Sequence, residues 1–267
     1  MIRDITIGQY YPAKSPIHRM DPRTKLFGTL IFIISVFLFH SVAGYAVATL
    51  FLAGMIIISQ VPVKFIFKGL KAIFMILMIT MVFNILLTPG EVLWKIGIFK
   101  ITREGISMAV RMAIRLVYLV IGSSLMTLTT TPNQLTDGLE KSLRPLNKLH
   151  IPVHEIALMM SIALRFIPIL LEETDKIMKA QIARGADFES GNLIQKVKNM
   201  VPLLVPLFIS AFRRANDLAM AMEARCYHGG DNRTQMKPLH YTRRDHIAYV
   251  VLFVYLAVAI GFRVMGW

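Results

Sequence analysis

Five long apolar runs constrain this chain more than any other feature of its sequence. They cover residues 26–39, 42–59, 72–87, 107–129 and 248–262, with prolines, glycines or charged residues between them. A transmembrane helix needs about 20 mainly apolar residues, and fewer when its ends reach into the interfacial region. The pattern therefore predicts an all-α integral membrane protein with about five transmembrane helices.

The composition is typical of a membrane protein. Hydrophobic residues make up 55% of the chain and charged residues only 17%, so much apolar surface must face lipid. The net charge of +14 could indicate a nucleic-acid-binding protein. However, the basic residues lie beside the apolar runs and are not interleaved with aromatic residues on one face. We therefore expect the lipid bilayer as a partner, and no nucleic acid.

Lysine and arginine in the connections set the expected orientation. Residues 1–25 and 60–71 are strongly basic, whereas the turn at 40–41 has no lysine or arginine and the loop at 91–104 is nearly balanced. Short cytoplasmic loops of membrane proteins carry the excess of lysine and arginine. This rule divides the chain into 1–130, with four transmembrane helices and a cytoplasmic N-terminus, a cytoplasmic domain at 131–245, and a last transmembrane helix at 246–267.

The expected cytoplasmic domain contains two further apolar stretches. Residues 156–171 are interrupted by Arg165 and Pro168, and residues 200–212 form a short run with two prolines. If both stretches crossed the membrane, two similar arginine motifs would face opposite sides. We therefore favour long amphipathic helices at or below the membrane surface, with true spans as the alternative.

The two long helices have different expected starts. The first opens after Pro152, bends at Pro168, and ends with Gly185 as its C-cap. The second is expected to begin near Pro202 or Pro206, with an apolar start led by proline as in the first.

Each long helix ends at an arginine motif, Ala183-Arg184-Gly185 or Ala224-Arg225-Cys226. A single arginine at a helix C-terminus is explained by the helix dipole, with which it interacts by roughly 0.3–1 kcal/mol. Two in the same context, each after an alanine, indicate helix tips that enter a groove. There the guanidinium can bind an acidic or carbonyl partner bidentately.

The sequence contains no pattern typical of an enzyme or a metal site. It has no P-loop, no H-E-x-x-H, no paired C-x-x-C and no G-x-S-x-G. His150 and His154 have helical spacing, but Pro152 lies between them and breaks the helix that a shared metal would require. We interpret both as solvated loop histidines, and expect no catalytic residue, metal or cofactor in this chain.

Two arginines in the fourth apolar run leave an alternative open. Arg111 and Arg115 lie one helical turn apart near its outer end. Charged residues within a span are costly and are candidates for function, but their side chains can also extend to the outer headgroups. A membrane-embedded enzyme that acts on lipid through Arg111, Arg115 or His40 is one alternative function, and a passive membrane scaffold is another.

Three stretches carry a resemblance to a known family. They are YPAKSPIHRMDPRTK at 11–25, ALRFIP and QIARGA within 163–186, and EARCY at 223–227. With the layout of the spans, they resemble the transmembrane T-component family of energy-coupling factor transporters over nearly the whole chain. These are prokaryotic importers of vitamins and metals, driven by ATP-binding-cassette ATPases. The family motif is often Ala-Arg-Gly, and Cys226 stands in the glycine position of the second copy.

The resemblance implies a multi-pass protein of the cell membrane with coupling helices in the cytoplasmic domain. These helices would cross and insert into grooves on two ATPase subunits, and closure of the ATPases around ATP would draw the tips together. That movement would alter the surface that holds a membrane-embedded S-component, which binds the substrate. The partner ATPases would hold ATP and Mg²⁺, so no cofactor is implied for this chain. The implied contact residues are Ala183, Arg184, Gly185, Ala224, Arg225 and Cys226, supported by Arg165, Pro168, Met178, Met220 and Met222.

Overall fold

A computed structural model of the chain describes residues 10–39, 41–96, 99–188, 190, 192–230 and 236–264. Almost all secondary structure in these ranges is helical. The elements are α1 (Pro22–Leu38), α2 (Val42–Ser59), α3 (Val63–Leu87), β1 (Val92–Ile96), β2 (Phe99–Thr102), α4 (Arg103–Thr129), α5 (Pro132–Leu143), a 3-10 helix (Arg144–Leu149), α6 (Val153–Ala183), α7 (Leu193–Ala224) and α8 (Arg243–Val264).

The helical membrane fold is confirmed, with about as many candidate spans as predicted. By length and composition, α2, α4, α6 and α8 can cross a membrane, and α3 is a fifth candidate if its two bent parts form one span. The set of candidate spans differs from the prediction in two helices. α1 is absent from it because it has only 17 residues, and α6 is included because its first half is long and apolar. The placement of α6 at the membrane surface stays a prediction.

Residues 60–71, expected to form a basic loop, are helical from Val63 onward. α3 bends by 57° between Val63–Lys71 and Ile73–Leu87, so the bend separates a lysine-rich part from the predicted third span. Lys64, Lys68 and Lys71 have helical spacing, and lysine is a good helix former, so the loop expectation was wrong.

The loop predicted at 91–104 contains a β-hairpin. β1 and β2 pair antiparallel, with Val92 opposite Thr102. The carboxylate of Glu104 closes the base of the hairpin, because its Oε2 accepts from the backbone N–H of Glu91 at 2.8 Å. In the described ranges this hairpin is the one departure from an all-α fold.

The described residues form two compact units. Residues up to 138 and from 239 onward form the first unit, with α1 to α4, the hairpin and α8. Residues 139–238 form the second unit, with α6 and α7, and the division falls within α5. The boundaries expected from charge, at 131 and 245, lie near these divisions. That they separate a cytoplasmic domain from the transmembrane helices remains a proposal.

The core of the first unit is built around aromatic rings from α1, α2 and α8. The rings of Phe51 and Tyr255 stack at 4.3 Å between centroids, and Phe32 lies 5.9 Å from Phe51. The Tyr255 hydroxyl is hydrogen-bonded to Ser35 Oγ at 2.7 Å, which satisfies its polar end inside this apolar core.

A buried carboxylate joins the first turns of α1 and α8. Asp245 is fully buried and accepts hydrogen bonds from the backbone N–H groups of Asp21 and Thr242, both at 2.8 Å, and from the Thr242 hydroxyl at 2.7 Å. Asp21 in turn caps α1 and forms an ion pair with Arg23 at 2.9 Å. Residues more than 200 positions apart in sequence are thereby held together.

We expect Asp245→Ala to destabilise the first unit. The substitution leaves the backbone N–H of buried Asp21 without its acceptor, at a cost of about 1–3 kcal/mol, and frees the partly buried N–H of Thr242 at a smaller cost. Thermal unfolding of the purified protein measures the loss as a lower midpoint. Asp217→Ala, which removes an exposed carboxylate on α7, serves as the control and should leave the midpoint almost unchanged. Equal midpoints for the two variants would contradict a structural role of Asp245.

Candidate functional site

The C-terminal end of α6 is closed by backbone hydrogen bonds around Arg184. The N–H of Ala186 donates to the carbonyl of Gln181 at 3.0 Å, and that of Gly185 donates to Ile182 at 2.9 Å. Gly185 has φ of +88°. This pair of bonds with a left-handed residue is a Schellman motif, in which glycine is favoured because it has no Cβ. The predicted cap at Gly185 is therefore confirmed.

The end of α7 is closed in the same way although it lacks the glycine. The N–H of Tyr227 donates to Met222 at 3.1 Å and that of Cys226 donates to Glu223 at 2.8 Å. Cys226 itself adopts the left-handed conformation, with φ of +56°. Arg184 and Arg225 thus occupy the same position in two matching caps.

Both arginines are exposed. The three residues of each motif, 183–185 and 224–226, are all on the surface of the second unit. Within the described residues the side chains of Arg184 and Arg225 have no hydrogen-bond or ion-pair partner. Because the caps use only backbone groups, both guanidinium groups remain available to an external acceptor.

α6 and α7 pair in antiparallel directions. Near the end of α6, the Gln181 amide donates to the carbonyl of Pro202 at 3.3 Å, close to the start of α7. Near the end of α7, the Tyr227 hydroxyl lies 3.5 Å from Nε2 of His154, in the first turn of α6. The two tips therefore lie at opposite ends of the pair, and a 31-residue helix extends about 45 Å.

A charged contact fastens the two helices between their ends. Glu173 on α6 accepts from Ser210 Oγ at 2.6 Å and from Arg214 Nη2 at 2.5 Å, both on α7. Sequence analysis did not find this pair, because the partners are about 40 positions apart and nothing local links them.

α7 begins earlier than predicted. It starts at Leu193, and Pro202 and Pro206 lie inside it, so the expected proline-led start was wrong. Apolar residues recur every three or four positions across the prolines, which is the signal that would have found the longer helix. They form an exposed apolar face on α7, made of Ile194, Val197, Val201, Leu204, Phe208 and Phe212.

The residues expected to support the tips are dispersed along the two helices. Arg165 and Pro168 are exposed on α6, about four turns or more before Arg184. α6 continues through Pro168, and a kink there stays a prediction. Met178 and Met222 are half-buried, whereas Met220 is 68% exposed. The carbonyl of Met222 belongs to the α7 cap itself.

His154 is not the solvated loop residue that was expected. Its Nδ1 lies 2.8 Å from Glu140 Oε1, and its ring also lies close to the backbone of Gly230. His150 ends the 3-10 helix in a left-handed conformation. The described residues contain no group of three or more histidine, cysteine, aspartate or glutamate side chains that could hold a metal ion.

Arg115 has a structural role in the first unit. Its Nη2 donates to the carbonyl of Phe39 at 3.2 Å and to the Tyr45 hydroxyl at 3.4 Å, and its guanidinium lies 5.3 Å from the ring of Phe37. Phe39 follows the last residue of α1, so Arg115 satisfies a carbonyl at that helix end. Arg111 is exposed, and His40 lies outside the described residues. Arg115 is therefore engaged in packing within the first unit, and its contacts lend no support to the alternative of a lipid enzyme.

The N-terminal stretch that carries part of the resemblance is also structural. His18 is buried, with Nε2 donating to the carbonyl of Tyr11 at 2.9 Å and Nδ1 hydrogen-bonded to Ser15 Oγ at 2.7 Å. Burial lowers the pKa of His18, which keeps the imidazole neutral at neutral pH.

Comparison with known proteins gives one consistent family. The family model of CbiQ, described as cobalt transport protein, matches residues 13–236. The energy-coupling factor transporter transmembrane protein EcfT of Clostridium kluyveri is 56% identical over 99% of this chain and 98% of its own length. The proteins of the same name from Ruminiclostridium cellulolyticum (54% identical, 96% of each chain) and Bacillus subtilis (50% identical, 98% of this chain and 100% of its own) are similar along their whole lengths.

We expect Cys226→Gly to stabilise the end of α7 by about 1 kcal/mol, because glycine adopts a left-handed conformation without the Cβ penalty. Gly185→Ala should destabilise the end of α6 by a similar amount. Hydrogen exchange of the purified protein measures both effects, as slower exchange at 222–227 and faster exchange at 181–186. Exchange that changes in neither variant would contradict the two caps.

Proposed function

The chain belongs to the CbiQ family and, within it, to the transmembrane proteins of energy-coupling factor transporters, and we propose that Arg184 and Arg225 are its two contacts with the ATPases. It is a multi-pass membrane protein of a bacterial transporter. As its transmembrane component, it couples ATPases to a substrate-specific S-component and is not itself the catalyst, since nucleotide is bound by the partner ATPases.

The single observation that carries this proposal is the pair of matching tips. Arg184 and Arg225 occupy the same position in two caps of the same geometry, both exposed and both without a partner in the described part of the chain. Since the tips lie at opposite ends of an antiparallel pair, each can enter a groove on a different ATPase subunit. The motif residues on either side are alanine, glycine and cysteine, which are small enough for a close approach.

The fastening at Glu173 supports a mechanical role. Its bonds to Ser210 and Arg214 join α6 to α7 between the tips, so a displacement of one helix is passed to the other. When ATP binding closes the two ATPases, the tips they hold move with them and the crossing of the helices changes. In this role, the part of the chain between residues 131 and 245 is a cytoplasmic domain.

The exposed apolar face of α7 supports docking of the S-component. A contiguous exposed apolar face marks a site of protein or membrane interaction. On α7 this face is continuous with the helix that holds Arg225, so a change at the tip is transmitted to it. The S-component selects the cargo, which we take to be a vitamin or another micronutrient.

We expect Arg184→Ala and Arg225→Ala each to weaken assembly with the ATPases about tenfold or more, because a charge-assisted hydrogen bond contributes about 1.5–3 kcal/mol. Copurification with the ATPases and substrate uptake in proteoliposomes measure the loss. Arg213→Ala, which removes an exposed arginine elsewhere on α7, is the matched control and should behave as wild type. Full uptake by the double variant would refute the role of the tips.

The proposed orientation is testable with the one cysteine of the chain. Cys226 is exposed beside Arg225, so a membrane-impermeant maleimide should label it in inverted vesicles and not in intact cells. Labelling of Cys226 in intact cells would place the tip of α7 outside and contradict the cytoplasmic domain.

A further inference from the structure

The first unit contains a partly open apolar cavity of about 300 Å³ between α1, α2, α4 and α8. Its walls are almost entirely hydrocarbon, with aromatic rings at the inner end. The apolar side chains that line it include Phe32, Phe51, Met55, Leu125, Val251 and Leu252.

The polar residues of the cavity are confined to one end. α1 lines it from Thr24 to Phe32, and α8 lines it from Arg244 to Leu252. Each helix presents a cation near its first turn, and the Thr29 hydroxyl one turn further along α1 is satisfied by the Lys25 carbonyl at 2.8 Å. About eight residues of helix cover roughly 12 Å, close to the roughly 15 Å of hydrocarbon in one leaflet. The cavity is therefore deep enough for much of one acyl chain.

Both cations at this end can donate a hydrogen bond to a further anionic group. Lys25 is 8% exposed and donates to the carbonyls of Thr129 at 2.8 Å and His18 at 3.3 Å, which uses two of its three N–H groups. Lys25 precedes the apolar run that begins at residue 26. Burial lowers its pKa to about 8, so it is mostly protonated at neutral pH. Arg244 is exposed and has no ion pair within the described residues.

The acidic groups nearby are already engaged. Asp21 forms an ion pair with Arg23, and Asp245 accepts three hydrogen bonds from Asp21 and Thr242. The hydrogen bonds leave the charge of Asp245 in place near Lys25, so Lys25 and Arg244 together exceed it by one positive charge at this end of the cavity.

We propose that this cavity binds an anionic phospholipid, with an acyl chain between the four helices and the phosphate at Arg244 and Lys25. Basic pockets between transmembrane helices on the cytoplasmic side bind anionic headgroups. The cations at one end and the apolar walls beyond them match the headgroup and the acyl chain of one lipid. An acyl chain matches the depth of the cavity and its apolar walls, because it has no polar group that would need a hydrogen bond there.

The test uses the full-length protein, purified in detergent and stripped of lipid. Phosphatidylglycerol should raise its thermal midpoint and stay bound in native mass spectrometry, whereas phosphatidylcholine with the same acyl chains should do so much less. Soluble glycerol phosphate should have no effect, because it lacks the acyl chain.

Three variants locate the site. Arg244→Gln should weaken phosphatidylglycerol binding about tenfold, whereas Arg243→Gln, at the adjacent arginine that does not line the cavity, should bind as wild type. Ala248→Phe fills the cavity and should abolish the effect of the lipid while the midpoint without lipid stays near wild type.

Four results would overturn the proposal. Equal losses of phosphatidylglycerol binding in Arg244→Gln and Arg243→Gln would indicate that the lipid is attracted by general surface charge and not by this cavity. Wild-type lipid binding by Ala248→Phe would remove the cavity from the site. An equal shift with glycerol phosphate would indicate a phosphate site alone. Loss of the S-component from Ala248→Phe, with lipid binding unchanged, would make the cavity a surface for protein docking.

Discussion

The last carbonyl groups of a helix have no partner within it, and this constraint governs the ends of both long helices. In α6 and α7 the donors come from the following backbone, which turns through a left-handed residue at Gly185 or Cys226. Because the backbone alone satisfies these carbonyls, the arginine at each end is not needed for closure. The ends of the two helices are therefore stable and chemically available at once.

The second unit combines those available ends with a fixed relation between the helices. Glu173 meets Ser210 and Arg214, and the contact of Tyr227 with His154 connects the tip of α7 to the start of α6. Neither helix can slide along the other without breaking a charged or polar contact. The first unit is held in a comparable way by Asp245, which ties together chain segments distant in sequence. Both units thus contain a few polar contacts between residues distant in sequence, buried at Asp245 and partly exposed at Glu173.

The sequence predicted what depends on local pattern. The apolar runs predicted α2 at the observed residues and the approximate number of spans, and the position of Gly185 predicted the α6 cap. What depends on distant partners was not predicted, including the bonds of Glu173, His154, Asp245 and Arg115. The predicted start of α7 was wrong because Pro202 and Pro206 lie inside the helix. An internal proline removes a hydrogen bond and crowds the preceding turn, but tertiary context can offset that cost. The prediction that the two tips contact ATPases came from the family resemblance, because an arginine without a partner does not by itself show which protein it binds.

In the proposed coupling role, the position of the Glu173 fastening would give the pair a mechanical advantage. Arg184 lies eleven positions after Glu173, and Arg225 lies eleven positions after Arg214, so both short arms measure about 16 Å. The long arms, back to Val153 and Leu193, measure about 30 Å. A rod pivoting at that point amplifies a small stroke at its arginine end about twofold at its far end, and two rods with equal arms respond in equal measure.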